Sequence, residues 1–253
     1  MRLERLSEDA EKLRWELVQV CRVLVEGRLD SGPFGNVSVR IPGTSEYWQN
    51  PAGITFDALT PQDVIRVDAE GKVIEGNHSP HPGEFIHREI YRLRRDVQAI
   101  VHTHSHSTVM LSLLGKSIEP FTQVGAALYG DQGIYLGYSG PVRDTDEGNA
   151  IAKALAQNTV VIAKNHGLFA TGKSLSAAWW DMVVADLAAK IHVDALKMGL
   201  SHADPLSLEV AEKSRREVRH RQYQAMWQGQ VAKLKFKYPE LFCSERIEKK
   251  GFG

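Results

Sequence analysis

No stretch of the chain restricts its fold more than Ala99-Ile100-Val101-His102-Thr103-His104, where an apolar run closes on two histidines at alternate positions. An apolar run of this length between polar flanks reads as a strand buried in a sheet. Side chains alternate along a strand, so His102 and His104 leave it on the same side. Two imidazoles sharing a face at a strand end suit a transition metal. Two polar residues where a strand surfaces would have the same spacing. A third histidine, His106, follows two positions later.

Around this strand, helical and extended patterns alternate. Leu13, Leu17, Val20, Leu24 and Val25 recur at helical spacing, predicting a helix from Ser7, followed by Glu8 and Asp9, to about Gly27. SGPFGNVSVR reads as a glycine-rich turn running into a strand, and GITF, DVIRVD and GKVIEG as further short strands. Phe85, Ile86, Ile90 and Leu93 share one face of a helix in PGEFIHREIYRLRRD, STVMLSLLG reads as a short helix, and DTDEGNAIAKALAQ as another with acids in its first turn. NTVVIAKNHGLFATG predicts two strands around a tight Asn165-His166-Gly167 turn. A long helix should run from Ser174 to near Gly199, and a cation-rich one follows Pro205.

No linker, low-complexity segment or internal repeat interrupts these elements. The 253 residues therefore read as one α/β domain, a sheet covered by helices, with its core over about 10–200 and a helical extension over about 205–253.

Lys+Arg and Asp+Glu both number 31, so the formal net charge is zero. Chain-wide charge gives no case for nucleic acid or a membrane as partner. Lys213, Arg215, Arg216, Arg219 and Arg221 read as a solvated helix face or a subunit contact. The two cysteines, Cys21 and Cys243, support neither a disulfide framework nor a thiolate zinc site. The N-terminal stretch is charged and amphipathic, unlike a signal peptide or membrane span. A cytoplasmic protein acting on a small molecule is the expectation.

A catalytic zinc-type site needs a third protein ligand and an open position. The best downstream candidate is His166, in a turn where a side chain can reach a neighbouring strand end and Gly167 lets the backbone bend. Glu84, near a predicted helix start, is the candidate acid–base residue, although a glutamate there also serves the helix dipole.

GNVSVR, GITFDALTPQDVIRVD, GEFIHREIYRLRRDVQAIVHTHS and NHGLFATGKSLSAAWW, in that order, resemble the class II aldolase/adducin family over roughly residues 10–200. The resemblance implies an αβα sandwich around a mainly antiparallel sheet, and a homotetramer with active sites at subunit interfaces. It places the ligands of a divalent metal on His102, His104 and His166, with zinc as first choice and iron, manganese or cobalt as alternatives. His106 matches no family ligand. The family's acid–base residue stands in a Pro-Ser-Ser-Glu-like stretch, four residues before a histidine that matches His87. Here Glu84 stands three before it. Either one residue is deleted and Glu84 keeps the role, or Gly83 has replaced the acid; because a helix start can absorb a one-residue shift, Glu84 is preferred.

The departures shape the expected substrate. Asn36 and Ser38 keep the family's GNVS element, but Thr55-Phe56 puts bulk where a small residue admits phosphate, and His81-Pro82 stand in place of paired serines. Hydroxyl donors for phosphate oxygens are thus missing. Asn36, Ser38, Thr55, Phe56 and His81 are the expected substrate contacts, with His78 a further one. Ala126, where the family's epimerases carry an acid, disfavours epimerisation. The expectation is a metal-dependent carbon–carbon lyase, a decarboxylase or aldolase, acting on a non-phosphorylated hydroxy or keto acid through a metal-bound enolate. A non-haem iron oxygenase on the same three histidines and a sugar-phosphate aldolase are the alternatives. Trp179 and Trp180 read as core or subunit contacts, Tyr129, Tyr135 and Tyr138 as side chains reaching a neighbouring site, and His192 and His202 as surface residues.

Overall fold

The computed structural model describes residues 2–30, 32–138, 140, 145–200, 205–218 and 223–242. Eight strands form one sheet: β1 (Asn36–Arg40), β2 (Tyr47–Gln49), β3 (Ile65–Val67), β4 (Val73–Glu75), β5 (Ala99–Thr103), β6 (Gln132–Tyr135), β7 (Val160–Ala163) and β8 (Gly167–Gly172). Their order is β4-β3-β2-β1-β5-β8-β7-β6. Every neighbouring pair is antiparallel except β6 and β7.

All five residues of β5 are buried, which a strand achieves only when both sheet faces are covered. Helices α1 (Arg2–Glu26), α3 (His106–Ser112), α6 (Leu175–Lys197) and α8 (Tyr223–Lys237) lie on one side, α2 (Glu84–Leu93) and α5 (Thr145–Leu155) on the other. Helices α4 (Gln123–Ala126) and α7 (Leu208–Val218) pack together beside α6. Two apolar clusters follow from strand alternation. Val37, Val101, Leu168 and Ala170 join Leu17, Leu24, Met182 and Ala185 on the α1–α6 side. Ile100, Val161 and Phe169 join Ile86, Ile90, Ile151 and Leu155 on the α2–α5 side. The result is the expected αβα sandwich around a mainly antiparallel sheet.

The differences have local causes. GITF is not a strand: Ala58 and Leu59 both donate their backbone N–H to the Thr55 carbonyl, closing a turn. The strand instead forms earlier, where Tyr47, Trp48 and Gln49 are all buried. Helix α1 begins at Arg2 rather than Ser7. Strand β6 has no clear period-2 signal, and it fits because Gly133 passes close to α5, where a Cβ would come within 2.1 Å of the Ala154 carbonyl oxygen. The cation-rich segment after Pro205 holds two helices, of which α8 is anchored by Trp227 against Trp179, ring centroids 5.4 Å apart. His192 is not a surface residue: it is buried, and its Nδ1 accepts from the Glu119 N–H at 3.2 Å. His202, Arg219, Arg221 and Cys243 lie outside the described residues. Among the described residues, no helix is long and apolar enough to cross a membrane.

Candidate metal centre

The antiparallel register sets Asn36 opposite His102 on β1 and Phe169 opposite His102 on β8. The His102 ring therefore stacks on Phe169, centroids 3.8 Å apart and 5° from parallel. Its Nδ1 lies 2.9 Å from the Leu168 carbonyl oxygen. A carbonyl only accepts, so Nδ1 carries the proton and Nε2 keeps its lone pair. That Nε2 is 2.8 Å from His104 Nε2.

His166 comes from the β7–β8 turn. Asn165 takes φ +60° and Gly167 φ +152°, the conformations that swing the turn back over β5. Glycine is needed at 167, where a Cβ would stand 3.0 Å from the Thr103 carbonyl oxygen. The nitrogens of His102, His104 and His166 lie within 4.8 Å of one another. His106 is exposed and outside this group.

Burial holds all three imidazoles neutral. His102 is pushed well below the usual histidine range by burial and by its two neighbours. His104 falls to about 4 through burial and then His166 and His81, and His166 to about 4 through burial. Neutral imidazoles whose nitrogens gather this closely are the donor set that transition metals take, so the residues fit a divalent ion.

The same burial predicts acid sensitivity. His87 is fully buried and lowered to about 3. With metal removed by a chelator, the unfolded chain binds protons on these histidines from pH 6.5 downward while the folded one does not. Stability is then fully present above that pH and is lost as the pH falls toward the folded values. The chelated protein should melt at a lower temperature at pH 5 than at pH 7; an unchanged melting temperature would contradict this.

A cavity of about 490 Å³ opens over the three histidines. Its walls are Phe34, Ala52, Gly53, His81, Pro82, Gly83, Ile86, Tyr138 and Gly140. The Phe34 ring stacks on His104 at 5.9 Å, and Tyr138 lies 6.3 Å from His166.

The structure does not bring Glu84 into this cavity. Its carboxylate is buried on the far side of α2, where it accepts from Tyr47 Oη at 2.7 Å and lies 3.7 Å from Arg88 Nε. Burial raises its pKa against the opposing effects of Tyr47 and Arg88. The cause is helical rotation: one residue turns a side chain by about 100°, so a shift at the helix start is not absorbed. Gly83 faces the site, and a Cβ there would stand 2.8 Å from Asn36 Nδ2 and 3.3 Å from His81 Nδ1. Glu84→Gln should therefore leave turnover within about twofold, the ordinary range for a group that touches no reacting atom. A loss of a hundredfold or more would put Glu84 back in the chemistry.

The other expected contacts divide. His81 lines the cavity, its Nδ1 accepting from the Gly83 N–H at 3.1 Å. Asn36 is fully buried beside Gly83, with no protein partner for either amide atom. Ser38 is withdrawn under α2, bonded to His87 Nδ1 at 2.7 Å and Tyr91 Oη at 2.8 Å. Thr55 and Phe56 are not in the cavity wall; Phe56 is a core residue whose ring packs under Gly35. The wall there is Ala52-Gly53, just before the residues the motif pointed to. Phe34 and Ile86 were also missed as wall residues. The one signal for them is adjacency, Phe34 to the GNVS element and Ile86 to His87.

A model of the class II aldolase and adducin N-terminal domain matches residues 15–193. The 4-hydroxy-3-prenylphenylpyruvate oxygenase/4-hydroxy-3-prenylbenzoate synthase of Streptomyces roseochromogenus subsp. oscitans is 34% identical over 183 residues, 71% of this chain and 65% of that protein. The match thus spans just under two thirds of that relative. Decarboxylase NovR of Streptomyces niveus is 33% identical over 190 residues, 74% of this chain and 70% of that protein. Among solved structures, the L-fuculose 1-phosphate aldolase from Glaciozyma antarctica PI12 superposes with a TM-score of 0.80 at 27% identity, covering 92% of this chain and 94% of that one.

Proposed function

The chain belongs to the class II aldolase and adducin family, and from that premise we propose that it is a divalent-metal enzyme releasing CO₂ from a non-phosphorylated keto acid that carries an aromatic or other apolar group. The observation that carries this reading is the cavity wall. Among the described residues it holds no lysine, arginine, serine, threonine or carboxylate. A phosphate would find no cation and no hydroxyl pair there, while Phe34, Pro82 and Ile86 offer an apolar face to an aromatic ring.

His102, His104 and His166 would hold the ion. When bound, it supplies Lewis-acid stabilisation of negative charge developing on a chelated substrate oxygen, worth several kcal/mol. The apolar wall orients the substrate and excludes water. Aldol cleavage needs a base at the reacting oxygen or carbon, and among the described residues no carboxylate lines the cavity. Loss of CO₂ needs none: the electron pair of the breaking bond passes to a carbonyl β to the carboxylate. The carbon then takes a proton, and Tyr138 Oη and His81 are the protic side chains on the wall. The decarboxylase from Streptomyces niveus supports this reading.

A second reading follows for a 2-keto acid, which lacks that β-carbonyl. With O₂ as the oxidant, one O₂ per CO₂ balances: one oxygen atom enters the new carboxyl group and the other is inserted into a C–H bond of the shortened acid as a hydroxyl. The oxygenase named for Streptomyces roseochromogenus supports this alternative, with iron as the metal. One panel separates the two: CO₂ release and O₂ uptake, with 3-keto and arylpyruvic acids, under argon and in air. The first reading predicts CO₂ from a 3-keto acid under argon. CO₂ only with equimolar O₂ uptake favours the second, and no CO₂ from any of them removes both.

The same proposal includes a homotetramer with sites completed across subunit contacts, supported by the exposure of Tyr138 on the cavity wall and of Leu136 two residues before it. Light scattering should give four times the mass of the chain.

A further inference from the structure

Side-chain alternation in β5 continues past its ligands. His102 and His104 face the cavity, while Thr103 and Ser105 face α6. Thr103 Oγ1 donates to Met182 Sδ at 3.4 Å. Ser105 Oγ donates to Asp186 Oδ1 at 2.5 Å. Met182 and Asp186 are four residues apart, one helical turn. Helix α6 thus grips the strand end at the residue on each side of His104.

Ser105 is buried and multiply engaged. Its Oγ accepts from the Thr108 N–H at 3.4 Å and pairs with Thr108 Oγ1 at 2.9 Å, capping α3.

We propose that Asp186 is a positioning residue that holds the ligand His104 in place through its hydrogen bond to Ser105. The inference rests on the reading of the three histidines as a metal centre. Burial raises the Asp186 carboxyl above its usual range, with Ser105, Lys190 and Ser107 acting against it. A half-buried carboxylate gains from hydroxyl donors around it. The Ser105 bond is therefore charge-assisted and strong for its type. Partners behind metal ligands are typically worth 10–100-fold in metal affinity.

The test is zinc affinity by competition with a chromophoric chelator, alongside the melting temperature of the metal-free protein. Asp186→Ala should bind zinc about 10–100-fold more weakly than wild type. Asp186→Asn keeps an oxygen that accepts from Ser105 and should stay within about threefold, where only the charge-assisted part of the bond is lost. A merely structural role would lower the melting temperature and leave the affinity of the folded protein unchanged. Should Asp186→Ala fail to fold, Ser105→Ala removes the same bond and should show the same loss. Unaltered affinity in a folded Asp186→Ala or Ser105→Ala, or an Asp186→Asn as weak as Asp186→Ala, would overturn the inference. Absence of zinc binding in the wild type would overturn the metal reading instead.

Discussion

His102→Ala is expected to abolish stoichiometric metal binding and to reduce CO₂ release at least about a thousandfold. The magnitude follows from the several kcal/mol that a Lewis acid supplies, each 1.36 kcal/mol being a factor of ten. His102 is the most committed of the three ligands. It is 2% exposed, its tautomer is set by the Leu168 carbonyl, and its ring is fixed against Phe169. His104→Ala and His166→Ala should behave alike, because two imidazoles leave an incomplete shell. His106→Ala, two residues from His104 but exposed and outside the group, should bind metal and turn over as wild type does. Metal analysis of the four purified variants checks this. Full metal content in His102→Ala, or loss of metal in His106→Ala, would contradict the assignment.

The second large effect is expected at Phe169. This side chain is fully buried, and its ring meets His102 face on, His166 at 5.6 Å and His87 at 6.4 Å. It belongs to the cluster with Ile86, Ile100 and Val161 that holds α2 against the sheet. Truncation to alanine should cost about 3–5 kcal/mol of stability. It should also weaken metal binding, because His102 loses the plane that orients it. Phe169→Leu conserves most of the volume and should cost less than about 1.5 kcal/mol. Urea denaturation of the metal-free proteins reads the first effect and chelator competition the second. An alanine variant within 1 kcal/mol of wild type would show that the stack carries no load.

The clustering of the three histidines was legible because two independent local signals met. Strand alternation placed His102 and His104 on one side, and the Asn-His-Gly turn announced a sharp bend that could return His166. Tertiary pairing of β5 with β8 then did the rest. Most helices were legible for the same reason, since Leu17, Leu24, Ile86 and Ile90 mark their buried faces at helical spacing.

What failed were features that hydrophobic periodicity and linear motif order do not decide. Strand β6 exists because α5 leaves room only for glycine at 133. GITF has the composition of a strand, but its backbone closes a turn. The clearest lesson is at Gly83 and Glu84. The acid kept its place in the string of letters, yet a shift of one residue on a helix moved it to the opposite side and into a bond with Tyr47. Linear motif matching has no term for that rotation. That no carboxylate of the described residues lines the cavity is visible only in the three-dimensional arrangement.

If His102, His104 and His166 hold a metal in a cavity that no carboxylate of the described residues lines, anomalous diffraction from crystals of the zinc-loaded protein should show a single strong peak per chain, bonded to nitrogens of these three residues at about 2.0–2.1 Å, with Glu84 still bonded to Tyr47. A peak elsewhere, no peak at neutral pH, or the Glu84 carboxylate swung into the cavity beside the ion would contradict that assignment.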